Sequence, residues 1–388
     1  MIETPIPYAR QWIHPEDVAA VTRVLTEDFL TTGPRVEAFE KDLCRLTGAA
    51  HAVACANGTA ALHLACLALG VDENDVGITS PLSFLASANC IEYCGGVTDF
   101  LDIDPETLCL NPDLLDAYCK RNKAPKVVIP VDFAGHSADL GRFHELSQKY
   151  GFALIEDAAH AIGSSYKYKD GEYACGSCTH TDLAIFSFHP AKTITAGEGG
   201  AVLTNDSKLA QGLRRFRNHG MAKEFSPGDK NDGPWYYEME NLGFNYRITD
   251  IQCALVASQL KRLPSFAQKR RDIVKTYNRA FEGNHDFITP PKDLETHACP
   301  HLYPLQFTGG EKIRKKAFLR LKEDGIFCQV HYIPIHLQPY YKNKYGYGPK
   351  KCPQAEDFYA KSLSLPLFPS LSMEQVEFII NRVMATQK

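Results

Sequence analysis

Strand-like apolar runs alternate with helix-like segments through the first 250 residues, and this order restricts the fold more than any other feature. The clearest strand-like runs lie at 51–55, 77–80, 126–131 and 152–155. Between them, apolar residues recur at helical spacing, most regularly at 60–69 and 140–150. Because strands that alternate with helices favour parallel crossovers, we predict an α/β fold built on a mostly parallel sheet.

The C-terminal third follows a different order, which indicates a second and smaller unit. After a polar stretch at 222–240 that we predict to be a loop, a long helical pattern covers 248–277 and is broken at Pro264. Beyond it we expect a strand, a helix and a strand at 301–307, 315–324 and 326–332. We therefore predict a large domain with an N-terminal arm at 1–250, and a linking helix with a small α+β domain at 251–388.

Composition and charge exclude several classes of protein. Hydrophobic residues make up 44% of the 388-residue chain and charged residues 23%, as in soluble globular proteins. The net charge is −4, so no global basic field favours nucleic acid binding. No apolar run reaches the roughly 18 residues of a membrane span, and the N-terminus has no apolar signal core. We expect a cytoplasmic protein with neither a nucleic acid nor a membrane partner.

The 13 cysteines are odd in number and lie mostly in apolar segments, which is typical of reduced core thiols. Cys175 and Cys178 form a C-x-x-C motif with His180 nearby. A structural zinc site needs a second ligand pair at matching spacing, and a redox motif needs a thioredoxin-like context. The sequence offers neither, so we predict no metal site.

Lys192 lies on a short, glycine-flanked loop between two apolar strands. The strand-like run 184–188 ends at His189 and Pro190, and the next apolar run begins at Ala201 after the sequence GEGG. A lysine beside buried strands loses solvation, which lowers the pKa of its ammonium group. A lysine with a lowered pKa is suited to form a Schiff base. The alternative is an ordinary solvated loop lysine.

A second candidate is the turn formed by Asn57, Gly58 and Thr59, which follows a strand and opens an apolar helix. Its free backbone N–H groups, a hydroxyl group and the positive end of the helix dipole together make an anion site that fits a phosphate. The alternative is that Asn57 only caps the helix.

Asp157 ends the run 152–157, at the carboxyl end of a predicted parallel strand. Ligands bind at that edge of open α/β sheets. A carboxylate there can keep a pyridinium nitrogen protonated, which makes the ring an electron sink. We expect Glu156 to face another way, because side chains alternate along a strand. The alternative is that Asp157 caps the helix that follows.

The lysine segment SFHPAKTITAGEGG (187–200), together with the turn and Asp157, resembles the DegT-like sugar aminotransferases, which are pyridoxal phosphate (PLP) enzymes of fold type I. The resemblance covers nearly the whole chain. Its other motifs are LTTGP (30–34), TSPLSF (79–84), EDAAH (156–160), NLGFNYR (241–247) and DIQ (250–252). It implies a fold-type-I PLP-dependent transferase with a large domain and a smaller C-terminal one.

This resemblance implies three catalytic residues. Lys192 would hold PLP as a Schiff base and then move protons, and Asp157 would pair with the ring nitrogen. His160 would flank the ring, although it could instead be a core histidine. Phe84 would stack on the ring face, or it could be a core aromatic residue.

The resemblance also implies how the cofactor phosphate is held. Thr59 and Ser187, with the backbone of Gly58, would bind it within one chain. Asn245 would reach it from a neighbouring subunit, so the active unit would be a homodimer with shared active sites.

The C-terminal unit is similar to one branch of this family, the transaminases of pseudaminic acid biosynthesis. The motifs concerned are QVHYIP (329–334), HLYP (301–304), AEDFY (355–359) and SLP (364–366). This branch implies L-glutamate as amino donor and a UDP-linked 4-keto-6-deoxy-N-acetylhexosamine as acceptor. The residues implied to contact the sugar nucleotide are Tyr8, Leu30, Thr31, Gln329, Val330, His331 and Tyr332. The segment 329–332 could otherwise be a half-buried strand.

Other functions stay open. A related PLP-dependent sugar dehydratase is disfavoured because such relatives have histidine at the position of Lys192. A nucleotide-sugar dehydrogenase is disfavoured because no G-x-G-x-x-G motif opens a helix after the first strand. An aminotransferase for a different UDP- or dTDP-linked 4-keto or 3-keto sugar fits the motifs, and a non-catalytic sugar-nucleotide sensor is a weaker alternative because fold does not fix function.

Overall fold

A seven-stranded sheet forms the centre of the computed structural model, which describes residues 5–222, 233, 235–295 and 297–387. The strands in chain order are β1 (His51–Cys55), β2 (Val76–Thr79), β3 (Val97–Phe100), β4 (Val127–Ile129), β5 (Ala153–Asp157), β6 (Ser165–Tyr168), β7 (Gly171–Ala174), β8 (Leu183–Ser187), β9 (Gly200–Thr204), β10 (Met221–Ala222), β11 (Glu238–Met239), β12 (Phe287–Ile288), β13 (Tyr303–Phe307) and β14 (Ser362–Leu365).

The order of strands across the central sheet is β1-β9-β8-β5-β4-β2-β3. Neighbouring strands from β8 through β5, β4 and β2 to β3 are parallel, whereas β9 runs antiparallel to both β8 and β1. The predicted α/β fold with a mostly parallel sheet is therefore confirmed. The parallel strands place their carboxyl ends at one edge, where ligand sites form in such sheets.

Helices cover the sheet and connect its strands. They are α1 (Pro15–Glu27), α2 (Pro34–Thr47), α3 (Gly58–Ala68), α4 (Ala86–Tyr93), α5 (Pro112–Cys119), α6 (Leu140–Tyr150), α7 (Ser207–Arg217), α8 (Asp250–Leu260), α9 (Leu263–Phe281), α10 (Gly310–Glu323), α11 (Pro339–Tyr345), α12 (Pro353–Lys361) and α13 (Met373–Ala385). Helix α3 is buried along most of its length and packs against α4 and α7. Short 3₁₀ turns lie at Phe133–Gly135, Lys292–Glu295 and Ile335–Leu337.

The C-terminal region contains a three-stranded antiparallel sheet in the order β12-β13-β14, with α9, α10, α12 and α13 around it. The predicted strand at 326–332 is wrong. Its residues make isolated bridges only, from Ile326 to Ile6 and from Gln329 to Ser364. Beyond that bridge, His331 keeps only a side-chain contact with β14, in which its Nδ1 atom lies 2.9 Å from the Ser364 hydroxyl, and His331 and Tyr332 line a cavity at the large sheet.

The long helical pattern at 248–277 forms two helices, α8 and α9, because Pro264 occupies the first turn of α9. Most of the loop predicted at 222–240 lies outside the described residues. Its described end contains β11, which pairs with β10. The division into domains at residue 250 stays a prediction. In the described part of the chain, no helix is long and apolar enough to cross a membrane.

Candidate active site

A cavity of about 500 Å³ lies at the carboxyl edge of the parallel strands. The predicted site residues that line it are Tyr8, Gly58, Thr59, Phe84, Asp157, His160, Ser187, Lys192, His331 and Tyr332. A larger groove of about 720 Å³ lies beside the loops that follow β3 and β4, but its lining contains none of the predicted site residues. The smaller cavity is therefore the candidate active site.

Lys192 lies on the loop between β8 and β9, as its sequence context predicts. Its backbone N–H donates a 2.8 Å hydrogen bond to the carbonyl of His189, which closes a tight turn. Burial in the cavity lowers the pKa of Lys192 to about 8, although the nearby Asp157 carboxylate acts in the opposite direction. This amine therefore loses its proton, and becomes nucleophilic, at a lower pH than an ordinary lysine.

Asp157 is the last residue of β5 and is buried at the floor of the cavity. The Ser87 hydroxyl donates a 2.5 Å hydrogen bond to its Oδ2 atom, and the Ala159 N–H donates to Oδ1 at 3.2 Å. Burial raises the pKa of Asp157, whereas these two hydrogen bonds and Lys192 favour the carboxylate. The carboxyl group is therefore held in one orientation, with a cationic partner within electrostatic range.

The turn before α3 has the features of an anion site. Asn57 caps the helix by accepting the Ala60 N–H at 2.8 Å, so the first N–H groups of α3 stay available for a ligand. A Cβ atom at Gly58 would lie only 2.9 Å from Ser187 Cβ, so glycine is required for this close approach. The cap and the anion site are thus compatible, because they use different N–H groups.

The protonation state of His160 is set by its neighbours. The Ala134 N–H donates to Nδ1 at 3.3 Å, so the ring proton lies on Nε2, which is 3.2 Å from the Tyr332 hydroxyl. Burial, followed by the charges of Lys192 and His331, lowers the pKa of His160 well below its usual value. His160 is therefore a neutral imidazole with a fixed tautomer.

Several cavity residues were not predicted from the sequence. Ser87, His189, Glu198 and His301 all line the cavity. The His301 ring lies 4.4 Å from that of His160, and burial lowers the pKa of His301. No local pattern distinguishes Ser87 from other serines, because its partner Asp157 lies 70 positions away in the sequence.

Other predicted site residues do not line this cavity. The Leu30 carbonyl accepts the Asp250 N–H at 3.0 Å, and Thr31 bridges to Thr249. The Asn245 backbone forms an isolated bridge with Asn218. These residues form a separate face, which we call the Asn245 face and define as residues 29–33 and 242–250.

Gln329 and Val330 also lie outside the cavity lining. The Gln329 backbone pairs with Ser364 through hydrogen bonds of 3.2 and 2.7 Å, and its side chain is exposed. Val330 packs against the apolar core. Their predicted contact with a sugar nucleotide stays a prediction.

The Cys175 thiol lies in a buried group with Asp132 and Glu156, and their candidate ligand atoms are all within 4.8 Å of one another. Burial raises the pKa of Glu156 to about 7 and also raises that of Asp132, which the negative charge of Glu156 raises further. A proton shared between the two carboxyl groups relieves this repulsion without a metal ion. Glu156 accepts the Gly176 N–H at 3.1 Å and is not part of the cavity lining, as the strand alternation predicts.

The chain matches the sequence model of the DegT/DnrJ/EryC1/StrS aminotransferase family over residues 11–384. It is 38% identical to the spore coat polysaccharide biosynthesis protein SpsC of Bacillus subtilis, over 97% of this chain and 96% of SpsC. It is 36% identical to the UDP-4-amino-4,6-dideoxy-N-acetyl-β-L-altrosamine transaminase of Campylobacter jejuni 81-176, over 96% of this chain and 95% of that enzyme.

Its fold is similar to that of Helicobacter pylori PseC, an aminotransferase involved in the biosynthesis of pseudaminic acid. The TM-score is 0.89 at 34% sequence identity, and the match covers 98% of this chain and 99% of PseC. Solved members of the family include PLP-bound forms. The chain therefore belongs to the DegT/DnrJ/EryC1/StrS family of PLP-dependent aminotransferases.

Proposed function

We propose that this protein transfers the amino group of L-glutamate to C4 of a UDP-linked 4-keto-6-deoxy-N-acetylhexosamine. The product would be UDP-4-amino-4,6-dideoxy-N-acetyl-β-L-altrosamine. The observation that carries the proposal is that Lys192, Asp157 and the turn at Gly58 all line one cavity. The chain is also related over nearly its full length to a transaminase named after this product.

The cavity fits PLP in three places. The start of α3, where a Cβ atom at Gly58 would strike Ser187, suits a phosphate held by Gly58, Thr59 and Ser187. Asp157 suits a protonated pyridine nitrogen, and the Lys192 amine suits the aldehyde carbon. When bound, PLP supplies an electron sink for the electron pair that remains after a proton leaves the carbon bearing the amino group.

Lys192 would carry the proton in both halves of the reaction. Its Nζ atom, with a pKa near 8, can accept the proton from Cα of glutamate and later place a proton on C4 of the sugar. A group whose pKa lies close to the working pH serves equally well as acid and as base.

Asp157 would keep the ring nitrogen protonated, and Ser87 would hold the Asp157 carboxylate in position through its 2.5 Å hydrogen bond. The neutral His160 ring donates towards Tyr332, so the Tyr332 hydroxyl hydrogen is available to a ligand in the cavity. Tyr8 and His331, which also line the cavity, would contact the sugar.

We also infer that the active unit is a homodimer with shared sites. Leu30, Thr31 and Asn245 lie on the Asn245 face and not in the cavity lining of their own chain. This face exposes apolar side chains, with Phe29 71% and Leu242 77% exposed. A second copy that covers this face would bury apolar surface and bring Asn245 to the partner's phosphate site.

A substrate panel tests the proposal. The purified, PLP-loaded protein is given L-glutamate and a set of UDP- and dTDP-linked 4-keto and 3-keto sugars, and each product is identified by NMR. We expect a C4 amine on the UDP-linked N-acetyl sugar, formed at least tenfold faster than any other product. A preference for a dTDP-linked sugar or for a 3-keto group would contradict the proposed substrate.

A further inference from the structure

His301 lies in the wall of the cavity, and the backbone next to it holds it in place. Its N–H donates to the Ala134 carbonyl at 2.8 Å, and the Ala134 N–H in turn donates to His160 Nδ1 at 3.3 Å. The rings of His301 and His160 are 4.4 Å apart, and His301 is 5% exposed. Ala134 therefore fixes two neighbouring imidazoles in the cavity wall.

The ring of His301 differs from its neighbours in its hydrogen bonds. His160 Nε2 lies 3.2 Å from the Tyr332 hydroxyl, and His331 Nδ1 lies 2.9 Å from the Ser364 hydroxyl. The buried Nδ1 atom of His301 has no partner among the described residues. Because a buried N–H group without an acceptor is rarer in proteins than an unpaired acceptor, we place the ring proton of His301 on Nε2. This gives the cavity wall an N–H group that can donate to a ligand.

A buried guanidinium group contacts the backbone of His301. Arg270 on α9 is 1% exposed, and its Nη1 atom donates to the carbonyls of Leu367 at 2.9 Å, Pro300 at 3.3 Å and His301 at 3.4 Å. No carboxylate of the described residues pairs with Arg270, and its buried Nε atom has no partner there. Since a buried charge without an opposite charge is costly, an anion bound at His301 would stabilise this region.

The cavity needs more than Lys192 to hold an acidic amino donor. Within the described lining, Lys192 is the one lysine or arginine, and Asp157 and Glu198 are acidic. The Cα atom of L-glutamate must lie at Lys192 Nζ for proton transfer, with the α-carboxylate attached to it. The side-chain carboxylate is two methylene groups further away, so it reaches groups beyond contact distance of Lys192. His301 is such a group, because burial and then the charge of Lys192 lower its pKa although no hydrogen bond joins the two residues.

We propose that His301 binds the side-chain carboxylate of the amino donor and thereby selects a dicarboxylic amino acid. Its Nε2–H group donates to a carboxylate oxygen, and the charges of Arg270 and Lys192 add attraction within a buried wall of low dielectric constant. This inference rests on the proposed function, because it assigns a role in the donor half of that reaction.

The donor half-reaction tests His301 without any sugar. The PLP-loaded protein is mixed with L-glutamate or with L-norvaline, which has a methyl group in place of the side-chain carboxylate, and the cofactor absorbance is followed. In His301→Phe, which keeps a ring but has no N–H, the ratio of kcat/KM for glutamate to that for norvaline should fall about tenfold to a hundredfold, mainly through KM. His301→Gln, which retains a donor, should recover most of this ratio. An unchanged ratio in His301→Phe would overturn the inference.

Binding of an unreactive dicarboxylate separates this inference from the proposed function. Glutarate has two carboxylates but no amine, so calorimetry on the PLP-loaded protein measures its Kd without transamination. We expect the Kd to rise about tenfold to a hundredfold in His301→Phe, or in His301→Leu should the first variant not fold. His144→Phe, at a half-buried histidine on α6 outside the cavity lining, is the control and should bind as the wild type does.

The two proposals predict different outcomes. Glutarate that binds wild type and His301→Phe equally well, or that does not bind the wild type, would overturn the role of His301. Glutarate binding that depends on His301, in a protein that takes no amino group from L-glutamate, would support that role and contradict the proposed function.

Discussion

The cavity and the Asn245 face are built in different ways. In the cavity, Asp157 is the last residue of β5, Lys192 lies on the short loop after β8, and a hydrogen bond from the buried Ser87 holds Asp157. On the Asn245 face, loop residues carry the predicted contacts, and Leu30 is 51% exposed. The sheet therefore positions Asp157 and Lys192 within one chain, whereas Leu30, Thr31 and Asn245 lie outside the cavity lining of their own chain.

The largest effect is expected at Lys192. Lys192→Ala removes the amine that we propose both moves protons and anchors the cofactor, so the rate should fall by about 10⁴-fold or more. Transamination of glutamate is measured by oxoglutarate release, with folding checked by circular dichroism. Lys208→Ala, at an exposed position in the first turn of α7, serves as the matched control and should retain wild-type activity.

Asp157 and Glu156 are adjacent on β5, so substituting each of them in turn compares the two sides of one strand. Asp157→Asn should retain PLP, as judged by visible absorbance, yet lose about 10²–10³-fold in kcat because a neutral amide no longer stabilises the protonated ring. Glu156→Gln changes the same chemical group outside the cavity and should stay within about threefold of wild type, since a single charge there is not aimed at the ring. Equal losses in both variants would show that Asp157 serves only the fold.

Much of the cavity could be predicted from the sequence, because its residues belong to local sequence patterns. A glycine turn before a helix, an aspartate at a strand end and a lysine between two strands each combine a motif with an adjacent element. Ser87 could not be placed in this way, because its contact with Asp157 joins residues 70 positions apart. The predicted strand at 326–332 failed for the same reason, since a bridge to Ser364 and contacts with the cavity decide its path.

The role of the Asn245 face could not be predicted from local patterns in the sequence. The motif at 241–247 implies a cofactor contact in a neighbouring subunit, and within its own chain the Asn245 backbone bridges to Asn218 and does not line the cavity. No pattern within one sequence gives the position of a second copy, because a symmetric interface depends on surfaces far apart in the chain.

Mixing two inactive variants tests the sharing of sites directly. Lys192→Ala and Asn245→Ala homodimers would each carry a lesion in both sites, whereas a hybrid dimer would have one site without either lesion. Random exchange at equal concentrations makes about half of the dimers hybrids, so about a quarter of the sites should recover activity. Native mass spectrometry monitors exchange; a mixture that exchanges yet stays inactive would assign Asn245 to its own chain.

A smaller effect is expected from the support of Asp157. Ser87→Ala removes a hydrogen bond to a charged group, worth about 1.5–3 kcal/mol, so kcat should fall by about tenfold to a hundredfold with KM for glutamate little changed. Ser147→Ala, at a buried serine on α6 whose hydroxyl donates to the His144 carbonyl, is the control and should leave kcat unchanged. A rise in KM with normal kcat would indicate that Ser87 acts on binding and not on the ring.

The central claim is that Lys192 holds the cofactor in this cavity, and borohydride trapping tests it most directly. The PLP-loaded protein is reduced, digested and analysed by peptide mass spectrometry, with Lys192→Ala treated in parallel. We predict a pyridoxyl group on the peptide that contains Lys192 and loss of the absorbance band, with no stoichiometric adduct in the variant. An adduct on a different lysine, present equally in both proteins, would contradict the account.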